Sequence, residues 1–499
     1  MREQACITRP RWHFAPQKGW INDPNGLVWF HGKYHLYFQC NPHSNQWDKM
    51  HWGHAVSQDL IHWEECQPVL FPEEIYENDQ RGGCFSGSVI EHEGRLYAFY
   101  TAVARDAESG LIRSQQCLAW SDDGYQFKKY QKNPIIPESP SGSSDFRDPK
   151  VIFHKDRWQM LVGGTSGGAS DMTSHGRIYL YHSKDLTHWE YDGILYEGED
   201  GEGTMFECPD LFELDGKWII TASPMNRTDF LPTVYMVGAL SFKNCLFCKE
   251  GSGTLDFGPH YYASQTYYDR YGHLLAIAWL GGWEWMPWIE DHGPSETEGY
   301  RGLMSCPRLL SIRKDGRLEM KPIRPIEMTG DLCVRKIPMN GSLEIASANT
   351  GKQSLYLHGQ ISRKKSVRSI SFTFRDDGGH MISLTLDFLF GNIIRDYHRA
   401  DPWSRSGVKI YQAEIEGKEK IPFDIIYDGN ALEICLFEGD YHVTSMLYPT
   451  KSSLRISLES KGGGCSLSWE EAREPGEGST KIWTNDAQQM FGDSGERLQ

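Results

Sequence analysis

The sequence contains no apolar run long enough to cross a membrane, and residues 1–10 lack the apolar stretch of a secretion signal. Basic residues are in deficit, because 51 Lys and Arg face 67 Asp and Glu and leave a formal net charge of −16 at pH 7. This balance disfavours nucleic acids and anionic membranes as partners, since both require clustered Lys and Arg. We therefore expect a cytoplasmic protein with neither of these partners.

Patterns that would hold a metal or an organic cofactor are also missing. The 12 Cys are scattered over 499 residues without a secretion signal, which favours reduced thiols over a disulfide framework. The Cys-x-x-Cys motif at 245–248 has no second pair to complete a zinc site, and His51 and His54 have no third ligand nearby. Residues 164–168 fit the Gly-x-Ser-x-Gly elbow of serine hydrolases, but no helical pattern follows them. We therefore predict no metal site at these motifs.

Sustained helical periodicity is almost absent as well, and short β-rich runs are separated by Gly, Asn and Asp turns. One pattern occurs five times: a turn with Gly or Asp, then a basic residue or His, then an apolar strand. The turns start at residues 32, 94, 156, 216 and 272, about 60 residues apart. A second marker, a Ser two residues before an Asp, recurs at residues 57–63, 121–127 and 183–189. Repeats of one blade in length predict an all-β, five-bladed propeller with a narrow axial funnel that suits a small ligand.

The repeat stops after the fifth unit. Residues 320–326 contain two Pro and are interpreted as a linker, and alternating strands return beyond them, as at residues 369–374 and 431–437. We predict three parts, which are a propeller domain at 1–325, a C-terminal β-sandwich at 335–475 and a polar tail at 476–499.

Three acidic residues share one phase of the repeat. Asp23, Asp148 and Glu207 lie eight or nine residues before the turns of the first, third and fourth units. If the strand before each turn is innermost, their carboxyls face one another across the funnel. Like charges so close raise the pKa of each acid, and glycoside hydrolysis gives this arrangement a purpose because it uses one ionised and one protonated carboxyl. The alternative is that these acids cap turns, since residues 22–26, Asn-Asp-Pro-Asn-Gly, form a turn sequence in their own right.

Around these acids the sequence resembles family 32 of the glycoside hydrolases. Trp-Ile-Asn-Asp-Pro-Asn-Gly at 20–26 resembles the signature block of that family, and Phe-Arg-Asp-Pro at 146–149 resembles its Arg-Asp-Pro block. Glu-Cys-Pro-Asp at 207–210 resembles its Glu-Cys block. Further similarity runs over most of the chain, including the C-terminal part.

The resemblance assigns roles to individual residues. It implies that Asp23 is the nucleophile, Glu207 the acid/base and Asp148 the stabiliser of the transition state, with Arg147 beside Asp148 to hold that acid ionised. The residues expected to surround the fructosyl ring are Asn22, Gln39, Trp47, Phe85, Ser86, Arg147 and Trp283.

The activity implied is that of a retaining β-fructofuranosidase, which hydrolyses sucrose or sucrose 6-phosphate through a covalent fructosyl-enzyme ester. The mechanism implied requires no metal and no organic cofactor. Two alternatives stay open within the same chemistry, a fructan exohydrolase and a fructosyltransferase. A propeller that binds oligosaccharide without cutting it is a third reading. By the same resemblance, a monomer or a homodimer is expected.

Overall fold

The computed structural model describes residues 9–229, 231–283, 299–324, 337–349, 354–400, 407–451 and 453–473. Within these ranges nearly all regular structure is β-strand, and the helical segments are the two 3₁₀ turns Phe242–Asn244 and Phe437–Gly439. Among the described residues, none forms a helix with the length and apolarity that a bilayer crossing needs. The predicted all-β class, a five-bladed propeller followed by a sandwich-like sheet domain, is confirmed.

Blades one to four are antiparallel sheets of consecutive strands. Blade one contains β1 (Gly19–Phe30), β2 (Lys33–Asn41), β3 (His51–Ser57) and β4 (Trp63–Glu65). Blade two contains β5 (Gly83–His92), β6 (Arg95–Arg105), β7 (Ile112–Ser121) and β8 (Lys128–Lys129). Blade three contains β9 (Phe146–His154), β10 (Arg157–Thr165), β11 (Gly176–Ser183) and β12 (Glu190–Glu197). Blade four contains β13 (Met205–Leu214), β14 (Lys217–Met225), β15 (Val234–Ser241) and β16 (Leu246–Thr254).

Blade five closes the ring. Its strands are β17 (Tyr262–Tyr268), β18 (Leu274–Leu280), β20 (Leu303–Met304), β21 (Arg308–Ile312) and β22 (Leu318–Pro322). The short strand β19 (Tyr300–Arg301) leaves this blade and pairs in parallel with the start of β1. A segment between two strands of the fifth blade is thus hydrogen-bonded to the first blade.

The first strand of every blade lines the axis, because β1, β5, β9, β13 and β17 contact one another in a closed circle. Each repeated turn of the sequence joins this innermost strand to the second strand of its blade. In the first blade the two loop residues His31 and Gly32 have φ angles of 46° and 84°, the positive values that a two-residue type I′ hairpin requires. The strand before each repeated turn is therefore the innermost one.

The second sequence marker forms a turn with its own hydrogen bonds. The hydroxyl of Ser57 accepts from the backbone N–H of Leu60 at 2.9 Å, and the carboxylate of Asp59 accepts from the N–H groups of Ile61 and His62 at 2.9 and 2.8 Å. The same bonds recur in the second and third blades. These side chains replace missing backbone partners, which explains why the Ser-x-Asp pattern repeats with the blade.

The C-terminal sheet system packs its strands around one apolar core. Its strands are β23 (Ile337–Asn349), β24 (Leu355–Arg363), β25 (Ser369–Asp376), β26 (Met381–Asp387), β27 (Asn392–Arg399), β28 (Val408–Gln412), β29 (Lys420–Asp428), β30 (Ala431–Leu436), β31 (Tyr441–Met446) and β32 (Ser453–Arg473). The 21-residue strand β32 pairs with β23, β24 and β25 and so holds the sheet system together.

The predicted linker differs from the structure at its start, because Met320 to Pro322 belong to β22, which pairs with β21. Its remaining part reaches the undescribed residues 325–336, and the tail predicted at 476–499 also lies outside the described residues. The boundaries of the three parts therefore stay a prediction.

A buried polar cluster joins the propeller to the sandwich. Arg308 of the propeller binds Asp256 and, on the sandwich, Glu433, each at 2.8 Å. His13 binds two sandwich carboxylates, Asp428 through Nδ1 at 2.8 Å and Glu433 through Nε2 at 2.9 Å. We call these five residues the interface cluster. Its charges are paired across the contact between the two domains.

Candidate active site

Every innermost strand carries a bulge at the same phase of the repeat. The pairing with the second strand shifts between Ile21 and Gly26, between Cys84 and Gly87, between Arg147 and Lys150, between Glu207 and Asp210, and between Tyr262 and Gln265. Residues inside three of these bulges have positive φ angles, which are 67° at Asp148, 47° at Cys208 and 56° at Ala263. A bulge redirects side chains away from the regular alternation of a strand. The sequence-predicted acids lie in or at the edge of these bulges.

The three predicted acids meet around Cys208. The thiol of Cys208 lies 3.6 Å from Asp23 Oδ2 and 3.6 Å from Asp148 Oδ2, and its backbone N–H donates to Asp148 Oδ2 at 2.9 Å. Glu207 is the preceding residue on β13. Sequence reasoning did not propose a site role for Cys208, although its place in the Glu-Cys block was a signal.

Asp23 has one occupied and one free carboxylate oxygen. Its Oδ2 accepts a hydrogen bond of 2.6 Å from the hydroxyl of Ser86, while its Oδ1 is buried and has no hydrogen-bond partner among the described residues. Burial raises the pKa of Asp23, the bond from Ser86 partly offsets this, and the charge of Glu207 raises the pKa further. Asp23 therefore keeps one carboxylate oxygen that accepts no hydrogen bond from the described residues.

Glu207 is held at both oxygens. Arg147 donates to Oε1 through Nε at 3.0 Å and Nη2 at 2.9 Å, and the hydroxyl of Tyr262 donates to Oε2. Burial raises the pKa of Tyr262 well above its usual value, so this hydroxyl keeps its proton. Tyr262 was not predicted as a site residue, because its contact with Glu207 joins two blades.

Asp148 differs from the expectation drawn for it. Burial raises its pKa to about 7, against the positive charge of Arg147 and together with the charges of Glu207 and Asp23. The charge of Arg147 lowers the pKa of Asp148, but burial outweighs it, and the hydrogen bonds of Arg147 go to Glu207 and, at 3.1 Å, to Asp145.

Aromatic side chains form one wall of the site. The ring of Trp47 lies 5.8 Å from that of Phe85 and 6.3 Å from that of Trp283, and Trp283 stacks on Trp20 at 6.1 Å. These rings pack in one cluster with Cys208 and the other apolar residues around it. The predicted ring-binding aromatics are thus brought together beside the acids.

The predicted amides lie deeper. The Oδ1 of Asn22 accepts from Trp20 Nε1 at 2.8 Å, and the Nε2 of Gln39 donates to the carbonyl of Cys84 at 3.0 Å. Both are buried. Ser86 and Arg147 contact the acids directly, as described above.

A group of residue types that hold metals lies away from the funnel. Among the described residues this composition is found at His13, Cys306 and Glu433 in the domain contact, and both ring nitrogens of His13 are already hydrogen-bonded to carboxylates. The Cys-x-x-Cys residues Cys245 and Cys248 are free thiols.

Comparison with known proteins gives the family. The model of the glycosyl hydrolases family 32 N-terminal domain matches residues 13–322. Raffinose invertase of Escherichia coli is 29% identical over 470 residues, which cover 92% of this chain and 93% of that protein. Sucrose-6-phosphate hydrolase of Escherichia coli is 37% identical over 334 residues, which cover 64% of this chain and 65%, just under two thirds, of that protein.

Solved structures agree with the sequence matches. A mutant of a Bombyx mori GH32 beta-fructofuranosidase in complex with sucrose has a TM-score of 0.76 and 30% identity, covering 93% of this chain and 94% of that one. The fold, the carboxyls in its funnel and these similarities define a glycoside hydrolase. The chain belongs to glycosyl hydrolase family 32.

Proposed function

We propose that the protein is a retaining β-fructofuranosidase that hydrolyses the terminal fructosyl bond of sucrose or sucrose 6-phosphate. The names of its relatives, a raffinose invertase and a sucrose-6-phosphate hydrolase, support a fructosyl substrate, as does the sucrose complex of the similar Bombyx mori enzyme. The three acids in one funnel support hydrolysis by double displacement, which needs a nucleophile and an acid/base.

The observation that carries the proposal is the unequal state of two carboxyls. Asp23 keeps Oδ1 without a partner among the described residues, whereas Glu207 is bound at both oxygens by Arg147 and Tyr262. A nucleophile needs a carboxylate oxygen that no protein donor occupies, and an acid/base needs a fixed oxygen from which a proton leaves and to which it returns.

In the first step Asp23 Oδ1 attacks C2 of the fructosyl unit, and the bond from C2 to the glycosidic oxygen breaks. Glu207, protonated before this step, gives its proton to that oxygen, which leaves as a hydroxyl of the released sugar. In the second step Glu207 takes a proton from water, whose oxygen attacks C2 and releases fructose from Asp23. Retaining enzymes place the two carboxyls about 5 to 5.5 Å apart, and we expect this spacing here.

Asp148 is proposed to bind hydroxyls of the fructosyl ring more strongly as positive charge develops on it. The surrounding residues proposed to hold the ring are Asn22, Gln39, Trp47, Phe85, Ser86, Arg147 and Trp283. The wall of Trp47, Phe85 and Trp283 supplies flat apolar faces for the sugar C–H groups.

The test is the release of fructose from sucrose, sucrose 6-phosphate and inulin, measured side by side, with proton NMR to identify the first anomer formed. We expect β-fructose from one of the first two substrates. Predominant cleavage of inulin would indicate an exohydrolase, and oligosaccharides formed from concentrated sucrose would indicate a transferase. Binding of sugar without any release would leave a non-catalytic propeller and refute the proposal.

The role of Glu207 is tested by Glu207→Gln on two substrates. We expect a large loss of kcat on sucrose and a small loss on a fructoside with an activated leaving group, which needs no proton. Glu213→Gln is the matched control, because Glu213 lies on the same strand but is exposed at its far end. Equal losses on both substrates would contradict the acid role.

We also propose a reducing compartment such as the cytoplasm, because the ten Cys of the described part are all free thiols. The absence of nucleic-acid and membrane partners and a monomeric or homodimeric state are proposed with it. Light scattering of the purified protein distinguishes the two states.

A further inference from the structure

Asn25 lies in the bulge of β1, two residues after Asp23, and is fully buried. Its carboxamide oxygen accepts from Gln39 N at 3.1 Å and Gln39 Nε2 at 2.9 Å, and it lies 3.0 Å from Trp52 Nε1, whose one N–H is shared with the carbonyl of Phe85 at 2.9 Å. Three donors on one side determine which end of the carboxamide is the oxygen, because the nitrogen end can only donate. The nitrogen therefore faces Ser86 Oγ, at 3.3 Å, and donates to it.

Ser86 connects this amide to Asp23. Its hydroxyl carries one proton, and its oxygen lies 2.6 Å from Asp23 Oδ2. Because Asn25 donates to the Ser86 oxygen, the Ser86 proton is directed away from Asn25 and towards the carboxylate. The direction of both hydrogen bonds thus follows from the orientation of one buried amide.

We propose that Asn25 is a positioning residue that acts through Ser86 to bind Oδ2 of Asp23 and leave Oδ1 free for attack. The inference rests on the proposed function, since a free Oδ1 matters only if Asp23 is the nucleophile. It adds a requirement that contact with substrate would not reveal, because the described contacts of the Asn25 carboxamide are with Gln39, Trp52 and Ser86.

The electrostatics of Asp23 give the hydrogen bond a purpose. Burial and the neighbouring Glu207 favour the protonated form of Asp23, and the bond from Ser86 opposes them. A Ser86 hydroxyl turned towards another acceptor would leave the nucleophile without its main support for ionisation.

Asn25→Asp is the decisive variant, because it keeps the size of the side chain and replaces the donor nitrogen by an acceptor oxygen. The Ser86 proton then turns to the new carboxylate. Ser86→Ala removes the same hydrogen bond from the other side. Ser88→Ala is the matched control, since Ser88 is a buried serine two residues further along β5 whose hydroxyl donates to the carbonyl of Pro149.

The readout is the pKa of Asp23, followed by carbon-13 NMR of protein labelled at aspartate carboxyls and assigned by the signal lost in Asp23→Asn. We expect Ser86→Ala to raise this pKa by about one unit, Asn25→Asp to raise it at least as much, and Ser88→Ala to leave it unchanged. The double variant of Asn25 and Ser86 should shift it by less than the sum of the single variants, because both remove one hydrogen bond. The acid limb of kcat/KM should move with the pKa.

An unchanged pKa in Ser86→Ala, or strictly additive shifts in the double variant, would overturn the inference. If Asn25→Asp does not fold, an unchanged pKa in Ser86→Ala still overturns the inference, because the proposed action of Asn25 requires the bond from Ser86. The titration needs no turnover, so a protein that releases no fructose but shows the coupled shifts refutes the proposed function and keeps the hydrogen-bond relay.

Discussion

The protein buries two groups of carboxyl side chains, one in the propeller funnel and one in the interface cluster. Burial raises the pKa of Asp23 and raises that of Asp148 to about 7 in the funnel. Burial acts on Glu433 in the same direction, yet the charge of Arg308 and the bonds from His13 lower its pKa to about 2. Equal burial thus gives opposite results, and the difference lies in the cations and donors that surround each acid.

The charges of the two groups therefore have opposite effects on the stability of the folded state. In the interface cluster each carboxylate oxygen of Glu433 and Asp428 accepts at least two hydrogen bonds, so its negative charge supports the folded state. In the funnel, burial and the charge of Glu207 oppose the ionised form of Asp23, and its Oδ1 has no partner among the described residues. The rest of the fold holds such a site in place. The ionised form of Asp23 becomes favourable only when substrate is bound.

The largest expected effect is that of Asp23→Asn. Loss of the nucleophile should lower kcat on sucrose by about 10⁴-fold or more. The melting temperature should rise at pH 7, because the raised pKa of Asp23 means that its charged form costs stability above that pKa. This gain should fade below about pH 4, where the acid is protonated in the unfolded chain too.

Calorimetry and a fructose assay on the same preparations check both parts. Appreciable turnover of Asp23→Asn would remove Asp23 from the proposed role, and a lower melting temperature at pH 7 would remove the contrast with the interface cluster.

The converse substitution is Glu433→Gln. It breaks a buried network and leaves Arg308 with one charged partner fewer, so we expect a loss of about 3–5 kcal/mol in the free energy of unfolding. The kcat of the folded fraction should change little, because the cluster is separate from the funnel. Urea unfolding with a fructose assay measures both quantities. A loss of kcat without a loss of stability would show that the interface cluster is not separate from the funnel.

Tyr262→Phe has a smaller expected effect. Glu207 keeps Arg147 but loses the donor at Oε2, so we expect kcat on sucrose to fall about tenfold and less on a fructoside with an activated leaving group. Tyr261→Phe is the control, because the hydroxyl of Tyr261 is buried without a hydrogen-bond partner among the described residues. Steady-state kinetics of both variants measure this difference. Equal kcat values for Tyr262→Phe and Tyr261→Phe would contradict a role for the contact between Tyr262 and Glu207.

The smallest effect concerns His13. Burial opposes its charged form, but Cys306 and the bonds to Asp428 and Glu433 outweigh burial and raise the pKa of His13 well above 6.5. A raised pKa stabilises the folded state fully below the unfolded value of about 6.5, and this support is lost as pH rises through the folded pKa. The melting temperature of the wild type should therefore exceed that of His13→Gln most at pH 6 and less at pH 9. A difference in melting temperature that does not change with pH would indicate that His13 is neutral.

The architecture was predictable because the repeat is visible along the chain. Turns about 60 residues apart predicted five blades, and the common phase of Asp23, Asp148 and Glu207 predicted their convergence. Contacts between blades were not predictable in this way. Tyr262 and Asn25 contact partners on other strands, and no spacing along the chain reports those distances.

The partner of Arg147 was missed for a related reason. Sequence adjacency suggested Asp148, but Arg147 on β9 donates to Glu207 on β13 of the next blade. A contact between two blades is not visible in the order of residues along the chain.

The bulges also give the five blades one common position for side chains of different chemistry. In all five innermost strands the ladder to the second strand is interrupted at one phase of the repeat, so fewer backbone bonds constrain the residues there than elsewhere in the strand. Blades one, three and four carry acids in or at the edge of this interruption, blade two carries Phe85 with Ser86, and blade five carries Tyr262, whose hydroxyl binds Glu207. One position of the scaffold thus supplies a different chemical group from each blade.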